Sequence, residues 1–598
     1  MAESKIVLPD LPGAEYAPEP PPQGPVVWMK ENLFSTPFSV LLTIIGGLIA
    51  VVSLRGIFGF VANPERIWQA VTTNLRLLMV QAYPDQHMWR VWVSIGVVVV
   101  LTSLSLAAWR VGGRTSGRKL TGNVMALGGL LAIIGLVADF PFEMNVTWAG
   151  IGLALAGMGY MIRRMMGERA KAENIPVLAV AGGLVIGLVA SLWVLQVPVP
   201  DPDTGIRAAT TELLANTTRI PWLLLLITGF VAYGIGIAIR DWKPSRPMLV
   251  AGWALSYPVI FLHILRGTRM NNLSDYLLIG LAFLVVGTAI LYALVNLEIG
   301  ESGRLIAGIL LIAALLTWAT PVLIIIRLLL LILAAFALAA PTFGGSGGSK
   351  YRYVGIYAGA VVVMVYLMLL ATGTSAVQTQ SAVPFGGFMI TWLLAIGAVA
   401  LSFPIGVILA LARTSSLPLF RVMATVYIEL VRGVPLITWL LMSVVVFPFL
   451  FPEGVEFEDV VKVLLFFTFF SAAYLAENVR GGLQAVSKGQ AEASNALGMS
   501  TMQRTAFITL PQALRAVIPA LVGQVIATFK DTSLVAIVGL FDILLIAKNV
   551  VPNQSQPFNF LGSIKENLVV VALVYWIFTF IFSRVSQRIE RNLGVGER

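Results

Sequence analysis

One apolar stretch near the carboxyl end of the sequence, residues 521–540, carries charged and hydroxyl side chains at its centre. The consecutive polar residues, called here the polar cluster, are Lys530, Asp531, Thr532 and Ser533. Two charges at the centre of a membrane helix cost about 5–7 kcal/mol on insertion scales, and the apolar residues of this stretch return about 4–6 kcal/mol. A helix here therefore needs neighbouring helices or an aqueous path to be stable.

A regular helix through this stretch would gather four polar side chains on one face. They are Gln524, Thr528, Asp531 and Thr532. Lys530 would point away from that face, so it could not neutralise Asp531, its neighbour in the sequence. Ionisable residues inside membrane helices usually face the bundle interior and mark functional sites. Two interpretations stay open: these residues line a substrate pathway, or Lys530 forms a structural ion pair with Glu429 or Glu477.

Two acid–arginine pairs lie where apolar segments end. Glu429 precedes Arg432 by three residues, and Glu477 precedes Arg480 by the same spacing. Residues three apart are neighbours on a helix surface, so each pair is predicted to share a helix face. The pairs either anchor helix ends at the membrane surface or form a gate that rearranges during transport.

The longest polar segment of the carboxyl-terminal region, residues 478–518, carries the punctuation of two short helices, and we call it the docking loop. The predicted capping boxes run from Ser487 to Gln490 and from Ser500 to Gln503. Gly498 is a predicted stop for the first helix. Pro511 is predicted to end the second helix and to open the next one. A short polar helix pair is costly to order by itself, which favours docking of a partner protein.

The elements that must position these residues are membrane helices. The 598 residues are 58% hydrophobic and 12% charged, with a mean hydropathy of +0.87, whereas soluble proteins carry about 25% charged residues. Apolar runs long enough to span a bilayer recur along the chain. We therefore predict an all-α, polytopic membrane protein with about sixteen transmembrane helices. The predicted spans are 39–60, 90–109, 123–139, 146–162, 176–197, 220–239, 247–265, 276–297, 304–318, 320–340, 353–371, 386–412, 430–451, 460–477, 519–541 and 567–584.

Composition argues against several classes of function. The chain has no cysteine and only two histidines, His87 and His263, so neither a catalytic centre nor a metal site is predicted. The Walker A pattern is absent, and the chain is not predicted to hydrolyse ATP. The net charge of +10 is assigned to cytoplasmic loops rather than to nucleic-acid binding.

Changes in composition divide the chain into three parts. The proline-rich residues 1–38 are predicted to be a flexible cytoplasmic tail. A glycine–serine joint at 344–350 separates an N-terminal transmembrane extension, 39–371, from a domain at 385–597. The positive-inside rule predicts that both termini are cytoplasmic. The basic segments that carry this prediction are 110–120, 163–171, 240–246 and the tail after Arg584.

The docking loop resembles the EAA loop of ABC-importer permeases, whose pattern is E-A-A, three residues, G, nine residues, I-x-L-P. The matching residues are Glu492, Ala493, Gly498, Ile508, Leu510 and Pro511, and Ser494 stands in place of the second alanine. Flanking segments such as YIELVRGVPLITWL (427–440) resemble the polar amino-acid branch of these permeases. Upstream, SVLLTIIGGLIA (39–50) and YPDQHMWRVW (83–92) resemble the long general permeases for glutamate, glutamine, aspartate and asparagine.

The resemblance implies a type I permease bundle of about five helices in residues 385–597, within the bacterial inner (plasma) membrane. The docking loop would contact a separate ATPase that binds ATP and Mg, and the chain itself would hold no cofactor. The residues implied in docking are Gln490, Ala491, Glu492, Ala493, Ser494, Gly498, Ile508, Leu510 and Pro511. A second permease subunit, identical or different, and an extracytoplasmic amino-acid-binding protein complete the implied assembly.

Several alternatives stay open. Glu492 either contacts the partner or only caps the local fold. An amino acid carries a carboxylate and an ammonium, which the charges of the polar cluster complement. In an ion-coupled secondary amino-acid transporter, Asp531 would instead bind the coupling ion. A membrane-embedded enzyme would need a catalytic motif, and the sequence contains neither an HExxH motif nor a GxSxG motif in a span.

Overall fold

The computed structural model describes most of the chain, and all structural statements below refer to those residues. They are 25–63, 66–137, 142–199, 210–265, 273–296, 300–320, 322–340, 347–372, 386–450, 457–554 and 560–593. Most of the predicted tail, residues 1–24, lies outside them. The remainder of that tail contains a short helix, Pro25–Asn32.

Helices dominate the described residues, as predicted for a helical membrane protein. In chain order they are α1 (Pro25–Asn32), α2 (Pro37–Ala62), α3 (Gln69–Thr73), α4 (Leu75–Val80), α5 (Met88–Ala108), α6 (Gly117–Val137), α7 (Phe142–Met166), α8 (Val177–Ser191), α9 (Asn216–Ile239), α10 (Ser245–Leu265), α11 (Leu273–Ala282), α12 (Thr288–Asn296), α13 (Gly300–Leu316), α14 (Ile324–Ala339), α15 (Gly347–Thr372), α16 (Gly387–Arg413), α17 (Pro418–Gly433), α18 (Leu436–Val445), α19 (Asp459–Ala485), α20 (Lys488–Ala496), α21 (Thr501–Arg504), α22 (Leu510–Asp531), α23 (Ile543–Leu545) and α24 (Ile564–Leu593).

Two short antiparallel strand pairs depart from the all-α prediction. β1 (Arg114–Thr115) pairs with β2 (Ile175–Pro176), and β3 (Gln196–Val199) pairs with β4 (Thr210–Leu213). Valine and threonine are frequent in the second pair, and β-branched side chains favour the extended backbone. Both pairs join segments between helices, so the helices remain the elements that carry the fold.

The number of membrane crossings is smaller than predicted. Nine helices within the described residues are long and apolar enough to cross a membrane, and a tenth crossing is possible if α17 and α18 form one broken span. The predicted count of about sixteen is not confirmed, because several apolar helices fall short of the ~20 residues that a bilayer requires. These shorter apolar segments are Val177–Ser191, Gly303–Ala319, Ile324–Ala339, Tyr353–Leu369 within α15, and Ile543–Asn553.

The predicted continuous span 430–451 is wrong. α17 and α18 meet at an angle of 101° across a break at Val434 and Pro435. Proline cannot donate a backbone hydrogen bond and forces the preceding residue out of the helical region. Val434 accordingly has an extended backbone, with φ −107° and ψ 135°.

Contacts divide the chain into two compact units, and the first comprises residues up to Arg66 together with Gly113–Val180. Its centre is the antiparallel pair α6 and α7, which approach closely at small residues. A Cβ atom added to Gly128 would lie 3.0 Å from the Cα atom of Ala156. In a membrane the hydrophobic effect does not favour helix association, because lipid tails are as apolar as the side chains. Glycine and alanine allow close approach of two helices, which stabilises the pair through van der Waals contacts.

The second unit comprises Ile67–Gly112 and Ala181–Arg598. Its main core lies between α16 and α19, where Ile390 and Leu394 of α16 pack with Val463 and Phe467 of α19. α22 and α24 extend this bundle toward the carboxyl end of the chain. The unit therefore includes residues from both the predicted N-terminal extension, 39–371, and the predicted domain, 385–597.

Gly387, the first residue of α16, lies at a tight junction with α4 and with Phe541. The backbone N–H of Gly387 donates a 2.6 Å hydrogen bond to the carbonyl of Phe541. Gly387 has a φ of +64°, and an added Cβ atom would lie 2.8 Å from the carbonyl carbon of Met79. Only glycine fits this junction without strain, because other residues meet both an unfavourable backbone conformation and a backbone clash.

Candidate functional site

The first helix of the docking loop, α20, ends as the sequence predicts. Gly498 adopts a left-handed φ of +71° just after the helix. Its N–H donates to the carbonyl of Asn495 at 2.9 Å, and the N–H of Met499 donates to the carbonyl of Ser494 at 3.1 Å. These two bonds form a Schellman motif, which satisfies carbonyls at the end of a helix. The predicted stop at Gly498 is confirmed.

One of the two predicted capping boxes is confirmed. The backbone N–H of Gln503 donates to Ser500 Oγ at 3.3 Å, and the backbone N–H of Ser500 donates to Gln503 Oε1 at 2.9 Å. Ser487 occupies the N-cap position of α20, but its side chain forms no cap hydrogen bond. The box predicted there is wrong, because the Gln490 side chain lies 3.5 Å from the amide of Gln512 instead of reaching back to Ser487.

The prediction that Pro511 opens the next helix is confirmed, whereas the prediction that it ends the preceding helix is wrong. α21 continues through a wide helical turn at Thr505–Thr509 directly into α22, where Pro511 lies in the first turn. A proline ring clashes with the carbonyl four residues earlier in a regular helix, and a wider turn removes that clash. The docking loop is therefore joined to the membrane by one unbroken helical path.

The residues implied in docking lie mainly on the surface of the docking loop. Those exposed are Gln490, Glu492, Ala493, Gly498 and Pro511; those partly buried are Ala491, Ile508 and Leu510; Ser494 is buried. The Ser494 hydroxyl donates to the carbonyl of Gln490 at 2.6 Å, which satisfies this buried polar group within its own helix. A small side chain is therefore what the position requires, and serine meets that requirement as alanine would.

Sequence reasoning missed three large apolar side chains on this loop. Leu497 is 81% exposed and Met502 is 82% exposed, and Phe507 is also exposed. Arg504 joins the two helices that carry these residues, through a 2.9 Å hydrogen bond from its guanidinium to the Asn495 side chain. Large apolar groups on an exposed loop mark surfaces that a partner covers. The signal was available, since these residues interrupt an otherwise polar segment.

The helix through the polar cluster is shorter than predicted. α22 ends at Asp531, and the chain tightens into a 3₁₀ turn at Thr532–Val538 before Gly539 adopts a φ of +81°. The hydroxyl of Thr532 donates to the carbonyl of Phe529 at 2.7 Å, and that of Ser533 donates to the carbonyl of Lys530 at 2.9 Å. Hydroxyls that bind nearby carbonyls compete with the regular helical ladder, which accounts for the change of helix type.

The structure separates the residues of the predicted polar stripe. Gln524 is held between two groups of α19, since its Nε2 donates to the carbonyl of Ser471 at 2.7 Å and its Oε1 accepts from Asn478 at 3.0 Å. Thr528 and Thr532 are buried. In the polar cluster, Lys530 is exposed, whereas Asp531 and Ser533 are partly buried. Of the predicted pathway residues, Lys530 is therefore the most exposed, and Gln524, Asp531 and Ser533 are partly buried.

The predicted contact of Glu477 with Arg480 is confirmed, whereas Glu429 contacts Arg413, which the sequence analysis missed, and Arg432 contacts Glu477. Together these side chains form one cluster. The five members, called here the arginine–glutamate cluster, are Arg413, Glu429, Arg432, Glu477 and Arg480. Arg413 is the last residue of α16, and it contacts both glutamates. Its position directly after the predicted span 386–412 was the available signal. Because these glutamates pair with arginines, the structure does not bring Lys530 to either of them.

Two further observations concern binding groups. Asp542 is fully buried, and its carboxylate accepts backbone N–H bonds from Leu544 at 3.1 Å and from Leu545 at 2.9 Å. These bonds cap α23, so this carboxylate has a structural role. Within the described ranges, no group of three or more histidine, cysteine or acidic side chains is arranged to hold a metal ion.

Comparison with known proteins connects this geometry to a family. Residues 402–595 match the family described as "Binding-protein-dependent transport system inner membrane component". The chain is 38% identical over 270 residues to the inner membrane amino-acid ABC transporter permease protein YhdY of Escherichia coli, covering 45% of this chain and 72% of YhdY. It is 37% identical over 272 residues to the glutamate/glutamine/aspartate/asparagine transport system permease protein BztC of Rhodobacter capsulatus, covering 44% of this chain and 62% of BztC.

A solved structure is also similar to part of the chain. It is a crystal structure of an amino acid ABC transporter with histidines, with 28% sequence identity and a TM-score of 0.30. The similarity covers 34% of this chain and 91% of the solved chain.

Proposed function

The chain belongs to the family of amino-acid ABC transporter permeases, and we propose that it is the membrane subunit of an ATP-driven amino-acid importer that works by alternating access. The observation that carries the proposal is the docking loop. Its helices are fixed by a Schellman motif and a capping box, yet they leave Leu497 and Met502 exposed. A loop that is ordered and apolar at its surface fits a partner protein.

We propose that this partner is a separate ATPase subunit. The chain lacks a Walker A motif, so ATP and Mg would bind to the partner. The path from Thr501 to Asp531 is helical throughout, and at 1.5 Å per residue it is about 46 Å long. A displacement of the docking loop by ATPase closure would therefore be transmitted along this path toward the polar cluster.

The proposed solutes are amino acids, with glutamate, glutamine, aspartate and asparagine as the first candidates. The name of BztC supports this choice for a relative that the chain covers over 62% of its length. Lys530 and Asp531 support it chemically, since they offer opposite charges to the carboxylate and ammonium groups of an amino acid. Their different exposure indicates that the lysine would meet the solute first.

The proposed complex contains two ATPase subunits, a second permease subunit, and an extracytoplasmic amino-acid-binding protein. The second permease would be either another copy of this chain or a related chain. We place the complex in the inner membrane of a bacterium, with both termini in the cytoplasm. The basic loops 110–120, 163–171 and 240–246 support this orientation through the positive-inside rule.

The test is copurification followed by transport. A tagged full-length chain, expressed with candidate ATPase and binding-protein subunits, should copurify with an ATPase. Vesicles that contain the complex should accumulate radiolabelled glutamate only when ATP is present on the side of the membrane that carries the ATPase subunits. A non-hydrolysable ATP analogue is the matched control. Uptake by the chain alone, driven by an ion gradient, would contradict the proposal and favour a secondary transporter.

A further inference from the structure

Arg413 joins three helices at one end of the bundle. Its Nη1 lies 2.9 Å from Glu477 Oε2 on α19, and its Nη2 lies 2.7 Å from Glu429 Oε1 on α17. Arg413 itself ends α16. A guanidinium is a rigid planar fork, so one side chain fixes the separation of two carboxylates on different helices.

The contact between Arg413 and Glu477 is shielded from solvent. The two side chains are only 20% and 22% exposed, whereas Glu429 is 58% exposed. Ion pairs that are partly shielded are screened less by salt and water than exposed pairs. Of the two contacts that Arg413 makes, the one with Glu477 is therefore the stronger, and Glu429 is the more accessible end of the cluster.

The cluster contains three arginines and two glutamates, and Glu477 is shared. Arg480 contacts Glu477 from the same helix, with its Nε 3.0 Å from Glu477 Oε1. Arg432 lies 3.9 Å from Glu477 Oε2, and its guanidinium is 5.4 Å from the centre of the Tyr474 ring. Arg432 is therefore a further cation within reach of Glu477 if the contact with Arg413 is lost. Repacking of ion pairs between helices is one way in which proteins pass from one conformation to another.

The location of the cluster connects the docking loop to the bent helix. Glu477 lies on α19, which leads directly into α20 of the docking loop. Arg432 lies on α17, immediately before the 101° break that separates it from α18. Any movement of α19 relative to α17 must change the distances within the cluster.

From these contacts we propose that Arg413 is a positioning residue that latches α16, α17 and α19 together in the resting transporter. The latch opens, by exchange of partners at Glu477, when the ATPase moves the docking loop. Its role is to prevent ATP hydrolysis from proceeding without movement of an amino acid. The inference rests on the proposed function, since it concerns the coupling between the two partners.

The experiment measures coupling in vesicles that contain the complete complex. Arg413→Ala should raise ATP hydrolysis in the absence of glutamate by about fivefold or more, the range typical of coupling between sites. It should also lower the number of glutamate molecules imported per ATP by a similar factor. A residue with only a structural role would reduce the amount of assembled complex and leave that ratio unchanged.

Two further variants keep the inference testable if Arg413→Ala does not assemble. Arg413→Lys keeps the charge but lacks the fork that holds two carboxylates, so an intermediate ratio is expected. Glu429→Gln changes the exposed end of the latch, where an amide is easily accommodated, and should show the same direction of effect. Arg421→Ala is the control and should behave as wild type, because Arg421 is an exposed arginine of α17, the helix that carries Glu429.

The outcomes separate this inference from the function on which it rests. Suppose that the wild-type complex imports glutamate with ATP. If the Arg413 and Glu429 variants then import as many glutamate molecules per ATP hydrolysed as the wild type does, the latch is refuted. If the wild-type complex shows no ATP-driven uptake, the proposed function fails first, and the latch falls with it. A raised solute-independent hydrolysis in both variants, with a normal Arg421 control, establishes the latch.

Discussion

Replacing Leu497 with alanine should weaken binding of the ATPase without unfolding the permease. Leu497 is 81% exposed, so a partner that covers it would remove most of its surface from water. Complete burial of a leucine side chain is worth about 1.5–3 kcal/mol, and alanine keeps only part of that surface. We expect a loss of about 1–2 kcal/mol, which corresponds to an affinity about 5- to 30-fold weaker.

The assay is a titration of purified ATPase subunit onto the detergent-solubilised full-length chain. Leu419→Ala is the matched control, because Leu419 is also an exposed leucine but lies on α17, outside the docking loop. The thermal unfolding midpoint of both variants should stay near that of the wild type, since neither side chain is buried. Equal ATPase affinity for the Leu497 variant and the wild type would refute the assignment of this loop as the docking surface.

Four other substitutions and one control test the fold and the polar cluster. Gly387→Ala combines a left-handed backbone with a backbone clash, so it should lower the free energy of unfolding by about 2–5 kcal/mol in denaturant titrations, whereas Gly523→Ala, with open space around it, should not. Gln524→Ala leaves two partners on α19 unpaired and should cost about 1–3 kcal/mol of stability, while the KM for glutamate uptake stays unchanged. Asp531→Asn and Thr532→Val should depress glutamate uptake and leave ATPase binding intact; normal uptake by both would remove the polar cluster from the pathway.

The local structure of the docking loop could be predicted in large part because its stabilising contacts are short in sequence. The stop at Gly498 and the box from Ser500 to Gln503 depend on residues no more than five positions apart. The box at Ser487 failed because Gln490 has a competing neighbour, Gln512, from the following helix. A capping pattern alone does not show such a partner.

The helix breaks in the membrane were harder to predict, because an apolar run indicates a membrane segment but does not show where its helix is interrupted. Pro435 lies within an apolar run, and the run was interpreted as one span, although proline was the available signal. Pro511 led to the opposite error, since a wide turn absorbs it without ending the helix. The effect of a proline depends on whether packing against neighbouring helices stabilises a bend or a wider turn. These tertiary contacts are not visible in the local sequence.

The contacts of Arg413 show the same limit for the site. No acidic residue lies near it in the sequence, and its two partners lie 16 and 64 positions away. Helix-face spacing correctly placed Glu477 beside Arg480, but it could not identify an arginine from another helix. Contacts between helices depend on their relative rotation and depth, which the spacing of residues within one helix does not determine.

The unbroken path from the docking loop to the polar cluster determines where motion must be absorbed. α22 packs tightly along α19, since a Cβ atom added to Gly482 would lie 2.6 Å from the carbonyl oxygen of Ala513. The bonds of Gln524 hold the same two helices together farther along. Helices joined this closely tend to move as one body, and α19 carries Glu477 with it. α16 is joined to α19 in the same way, since a Cβ atom added to Gly406 would lie 2.9 Å from the carbonyl oxygen of Ala472. Relative movement is then left to the boundary with α17, which Arg413 spans through Glu429.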